Sequence, residues 1–172
     1  MHVNVFQNFA LAVAIVAAAW DLRTRKIPNV LTFGATLVAA LLHGYLGGWS
    51  AVGLSLAGWA VGLALFFPFF ALGGLGAGDV KLLAALGACL GPLMAVWVAL
   101  FASIAGGVMA LIVAAYAGYL RKAFVNLWCI VMYWRIEGPR PVPELTLATH
   151  RGPRLAYAVP VLAGVMLTLW LR

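Results

Sequence analysis

The sequence predicts an all-α, polytopic membrane protein with about six transmembrane helices. Three observations carry that prediction. First, 66% of the residues are hydrophobic and 9% are charged, and mean hydropathy is +1.07. That lies outside the range of soluble domains. Second, residues 1–20, 27–78, 82–120 and 155–171 contain no Asp, Glu, Lys or Arg. A helix needs about 20 apolar residues, within a range of about 17–25, to cross the hydrocarbon core, so 27–78 holds two passes. Third, no alternation of about ten residues repeats along the chain, as a membrane barrel would require. Helices are then the remaining way to satisfy the backbone in lipid.

Taken in order, the first helix is expected over 4–20. It is not a cleaved secretory signal. No basic segment precedes it, and Asp21 follows where small residues would mark a cleavage site. Helices over 30–46 and 51–72 are separated by Gly47-Gly48-Trp49-Ser50. Pro28 suits the first turn of the former, and Asn29 has a side chain able to bond local backbone. Gly73-Gly74-Leu75-Gly76-Ala77-Gly78 then makes a poor helix interior. At membrane depth, irregular backbone is tolerated where it faces protein or a wet cavity, so this Gly-rich segment is expected at the membrane boundary. A short helix over 79–91 and a longer one over 94–119 are divided at Gly91-Pro92. One tilted helix over 79–119, giving five passes, is the alternative. Ala123 to Ile136 is apolar and aromatic but too short to span, which predicts an interfacial or re-entrant segment. Three Pro in Gly138-Pro139-Arg140-Pro141-Val142-Pro143 predict an extended loop. The 120–154 stretch as a whole reads as a basic tether to anionic lipid or as a platform for an incoming substrate. A last helix is expected over 155–171.

The net charge of +7 does not indicate a nucleic-acid partner, because of where the charge lies. Of the 11 Lys and Arg, three are at 23–26, one is Lys81, six are at 121–154 and one is Arg172. With six passes, all but Arg172 fall on one side. That is the positive-inside pattern, and it puts those loops in the cytoplasm and both termini outside. The isolated Cys89 and Cys129 form no C-x-x-C and offer no zinc site. No metal or cofactor is expected.

The same topology sets the chain's two Asp residues at one membrane boundary. Asp21 begins D-L-R-T-R-K-I-P-N, and Asp79 stands in G-A-G-D-V-K-L. An ionisable group there is costly unless used. Two carboxylates about 3 Å apart cannot both ionise easily, so such a pair shares a proton. The ionised member can then activate water while the protonated member hydrogen-bonds an amide carbonyl. Which Asp takes which role stays open, because such a pair titrates as a unit. Gly76 and Gly78 are expected to allow an extended peptide close to Asp79, although small-residue helix packing accounts for them as well. Arg23, Arg25, Lys26 and Lys81 serve orientation, and a cation beside either Asp would favour its charged form. Asn29 is expected to shape the Asp21 loop. His2, His43 and His150 are scattered, and Ser50, Ser55 and Ser103 have no paired His within reach.

At these residues the chain resembles the type IV prepilin peptidases, a family of intramembrane aspartic proteases. The resemblance rests on D-L-R-T-R-K-I-P-N and G-A-G-D-V-K-L together, at this spacing and in this hydropathy frame, and extends less specifically to Pro160 in the last helix. It implies removal of a short basic leader from prepilins or pilin-like proteins at the cytoplasmic membrane boundary. It also implies catalytic roles for Asp21 and Asp79, and a motif role for Gly76 and Gly78. Larger members carry an N-terminal cytoplasmic region with four zinc-binding cysteines and methylate the new amino terminus. Residues 1–172 are expected to be a single membrane-embedded peptidase domain without that region, like the short peptidase-only branch that serves tight-adherence pili. The competing expectations are a small proton- or ion-coupled transporter, whose acids would relay protons, and an assembly subunit without chemistry. Transport sites usually lie near the bilayer midplane, whereas these acids are expected at one boundary.

Overall fold

A computed structural model describes residues 2–138, 140 and 155–171, and the described chain is entirely helical. Six helices follow in order: α1 (His2–Thr24), α2 (Asn29–Ala71), α3 (Ala77–Leu90), α4 (Pro92–Tyr116), α5 (Leu120–Glu137) and α6 (Ala158–Leu171). The proline-rich stretch 139–143, apart from Arg140, lies outside the described residues, as do Arg151 and Arg154.

The expected boundary near Gly47–Ser50 takes the form of a break inside one helix. At Gly48, φ is 67° and ψ is −165°, a left-handed φ that glycine adopts without a Cβ clash. The two arms, 29–47 and 49–71, each have the length that about 20 residues need to span. Pro28 sits one position earlier than expected, as the extended residue capping α2 (φ −66°, ψ 137°). Gly91, at φ 86°, separates α3 from α4, and Pro92 opens α4 in its first turn. That excludes a single helix over 79–119. The first helix continues through Asp21 to Thr24 rather than stopping at residue 20. The apolar-aromatic stretch after residue 120 is α5, which runs helically to Glu137.

Three described helices are long and apolar enough to cross a membrane: α1 from Asn4, α2 and α4. The helices α3 and α6 have 14 residues each, short of the ~20 that a straight crossing needs.

Helix α3 forms the centre. Val80 and every residue from Leu82 to Cys89 are buried, and a helix buried all round has neighbours on every side. It packs chiefly on α2 and also meets α1 and α4. The contact with α2 is close enough to exclude side chains. A Cβ on Gly58 would strike the Gly87 carbonyl, and a Cβ on Gly62 would lie 2.5 Å from the Leu83 carbonyl oxygen. Ser55 adds a buried hydrogen bond from Oγ to the Ala88 carbonyl, 2.9 Å long. Small residues that bring backbones together are how apolar helices associate where no hydrophobic force separates helix from lipid. Helix α6 closes the opposite flank against α4 and α1, with Gly164 set against the backbone of Val98 and Ala102. Large apolar side chains such as Leu41, Leu54, Ile104 and Leu111 point outward.

Candidate active site

Asp21 and Asp79 reach the same place from two different helix ends. Asp21 is in the last turn of α1, and its side chain is buried at 6% exposure. The turn after it is fixed by an Arg25 N–H bond to the Asp21 carbonyl, 2.8 Å long. Arg25 carries a left-handed φ of 54°, an uncommon conformation for a residue with a side chain. Asp79 is the third residue of α3. Its Oδ2 accepts the Gly76 N–H at 3.1 Å, and its own N–H donates to the Gly76 carbonyl at 3.1 Å. This reciprocal cap ties the carboxylate to the start of its helix, where the helix dipole favours negative charge.

Both carboxylates line one cavity of about 1020 Å³. It opens where α1 and α2 end and where α3 and α6 begin. A hydrogen-bond partner of Asp21 comes from a distant part of the chain. The Ala158 N–H, at the start of α6, donates to Asp21 Oδ2 at 3.2 Å. Each Asp therefore holds one backbone N–H through one oxygen, which leaves its other oxygen available to a third group. A cavity of this size with apolar walls (Phe66, Phe69, Leu127) and two convergent acids matches what a peptide-sized ligand needs.

The other candidate residues divide between cavity and scaffold. Gly76 lines the cavity, and a Cβ there would lie 3.0 Å from Asp79 Oδ2, so its bareness makes room for the carboxylate that folds back on it. Gly78 faces away, toward the α1–α2 turn. A Cβ there would lie 3.2 Å from Ile27 Cβ, so the space expected for an extended peptide is taken by Ile27. Lys81 donates from Nζ to Asn29 Oδ1 at 2.9 Å and lies 5.3 Å from the Phe33 ring centroid. Asn29 thus bonds across to α3 rather than to local backbone, and the pair ties the start of α2 to the start of α3. Arg23 is exposed. Among the described residues, Arg25 is the basic side chain that lines the cavity.

Several cavity residues carried no clear sequence signal. Tyr157, Ser103 and Phe66 line it, each a single residue inside an apolar stretch. Gly58-x-x-x-Gly62, which seats α2 on α3, was a readable motif of small residues at helical spacing. His43 lies away from the acids, with Nδ1 2.9 Å from the Ala39 carbonyl and its ring 3.9 Å from that of Phe6.

Comparison with curated proteins finds no match, and comparison with solved structures finds none either. The family comparison does. The matched segment, residues 8–111, covers α1 to most of α4 and so takes in both Asp residues, the capped start of α3 and the glycine seat beneath it; by that match the chain belongs to the Type IV leader peptidase family.

Proposed function

We propose that this protein is an intramembrane aspartic endopeptidase that cuts the basic leader from prepilins or pilin-like proteins at the cytoplasmic face of a bacterial inner membrane. Family membership supports a peptidase. The observation that carries the aspartic reading is that Asp21 and Asp79 line one cavity. Two carboxylates so placed hold a single proton between them more easily than two negative charges. The ionised member takes a proton from water as the water oxygen attacks the scissile carbonyl carbon. The protonated member gives its proton to the carbonyl oxygen. Collapse of the tetrahedral species breaks the C–N bond, and the leaving amine takes up a proton. The Ala158 and Gly76 N–H groups hold the two acids in place during these transfers.

The helix ends support the location. With α1, the two arms of α2, α3, α4 and α6 as six passes, the helix ends that line the cavity, those of α1, the second arm of α2 and α3, fall on the side of Arg23, Arg25, Lys26, Arg121 and Lys122. The positive-inside rule makes that side cytoplasmic and sets both termini outside. A pilin-like substrate, with a basic leader followed by an apolar helix, then presents its junction at cavity depth. Asn29, Lys81 and Gly78 shape the site from behind by holding the α1–α2 turn against α3, and Arg23 contributes to orientation.

Co-expression with a pilin-like substrate tests the reading. Wild-type protein shortens the substrate on a gel. Asp21→Asn and Asp79→Asn each abolish the shift while remaining inserted in the membrane. Normal leader removal by either variant refutes it.

A further inference from the structure

Beyond the two acids, Arg25, Ser103, Tyr119 and Tyr157 bring polar side chains to the cavity, and of these Tyr157 is the one whose ring is seated against a bare backbone. Tyr157 lies between the described start of the C-terminal segment and α6, outside the residues matched to the family. We propose that the Tyr157 hydroxyl is a third polar contact of the active site, donating a hydrogen bond to the substrate's carbonyl oxygen as that oxygen acquires charge. The inference rests on the endopeptidase reading of the same cavity.

Four observations place this side chain. Tyr157 lines the cavity together with Asp21 and Asp79. Its main chain is registered against the dyad, because the next residue, Ala158, gives its N–H to Asp21 Oδ2 at 3.2 Å. Its ring is seated on Gly106, where a Cβ would lie 2.6 Å from Cε2 and 2.8 Å from the hydroxyl oxygen. Phe66 meets the ring edge-on at 5.8 Å between centroids and 70° between planes. A ring fixed by a bare backbone on one side and an aromatic edge on another has little freedom to swing its hydroxyl away.

Ser103 lines the same cavity, but its Oγ gives its one proton to the Ala99 carbonyl, 2.8 Å away, so it has none to offer a substrate oxygen. Hydrogen bonds to an oxygen gaining negative charge are stronger than those to a neutral one, so the Tyr157 hydroxyl would hold the carbonyl oxygen most tightly while charge builds on it, beside the Asp that finally protonates it. The described titratable groups that share the cavity with this hydroxyl are Asp21 and Arg25 from the end of α1, Asp79 from α3 and Tyr119 ahead of α5.

The test uses the full chain in liposomes and a synthetic peptide with a Lys/Arg-rich leader joined to an apolar helix. Tyr157→Phe keeps the ring and its seat on Gly106. It lowers kcat by about 100-fold, the scale of losing one oxyanion donor, with KM nearly unchanged. Its affinity for a peptide isostere bearing a tetrahedral hydroxyl falls in proportion to kcat. Wild-type kcat in Tyr157→Phe, or unchanged affinity of that variant for the tetrahedral isostere, overturns the proposal. Retained cutting by Asp21→Asn or Asp79→Asn in the same assay refutes the endopeptidase reading itself, whatever Tyr157 does.

Discussion

At Gly76 and Gly78 the distance between side chains decides whether Asp79 stands where it can meet Asp21. A methyl group on Gly76 would press on the Asp79 carboxylate itself, at 3.0 Å from Oδ2. One on Gly78 would press on Ile27, at 3.2 Å from Cβ, and so lift the turn that follows Asp21. Gly76→Ala is expected to lower kcat about 10- to 100-fold without loss of insertion, because a misplacement of under an ångström is costly to a reaction that depends on alignment. Gly78→Val is expected to act in the same direction by parting α1 from α3, and cleavage rates in liposomes check both. Lys81→Met removes an outward-facing tie to Asn29 and is expected to cost roughly 0.5–1.5 kcal/mol of stability, read as a lower melting temperature in detergent. The two Asp residues were legible in the sequence because ionisable groups are rare in this chain and each stood in a defined motif. Tyr157 was not, because an uncharged aromatic in an apolar stretch looks like any interfacial tyrosine until Gly106 and Asp21 are seen around it.

At the scale of elements, α3 is held by contact rather than by length. Its backbone meets the second arm of α2 at Gly58, Gly62 and Gly87, and the Ser55 bond to Ala88 closes the same seam. Gly87→Val and Gly58→Val each force that seam apart and are expected to destabilise the protein by about 1–3 kcal/mol. Denaturant titration in detergent micelles measures that loss, and the loss should exceed that of Gly107→Ala, where an added Cβ meets nothing within 4 Å. Charge-free runs located the helices well, since a helix in lipid cannot readily hold a charge in its middle, and Gly47–Ser50 and Gly91–Pro92 marked real breaks. The runs said less about helix ends. Asp21 was expected just beyond the first helix, yet α1 carries it in its last turn, and α5 extends helically through Arg121 and Lys122. Polar and basic residues are tolerated once a helix has left the hydrocarbon, so hydropathy marks where lipid ends rather than where the helix does.

Across the whole molecule, helices far apart in sequence bring their working ends to one cavity. Positive-inside counting already set Asp21 and Asp79 on the same face. It could not show that α6 supplies a wall and a backbone donor, because no periodicity or charge links residue 158 to residue 21. The two elements that begin at that cavity, α3 and α6, have 14 residues each, or about 21 Å at ~1.5 Å per residue. The hydrocarbon slab is about 30 Å thick. On the proposed endopeptidase reading, cleavage in liposomes is expected to be faster with shorter acyl chains than with longer ones, because thicker lipid would have to deform around a helix as short as α3. Were α3 to cross a bilayer at that length, it would leave a hollow roughly 9 Å deep over its cavity end, through which water would reach the carboxylates without permeating lipid.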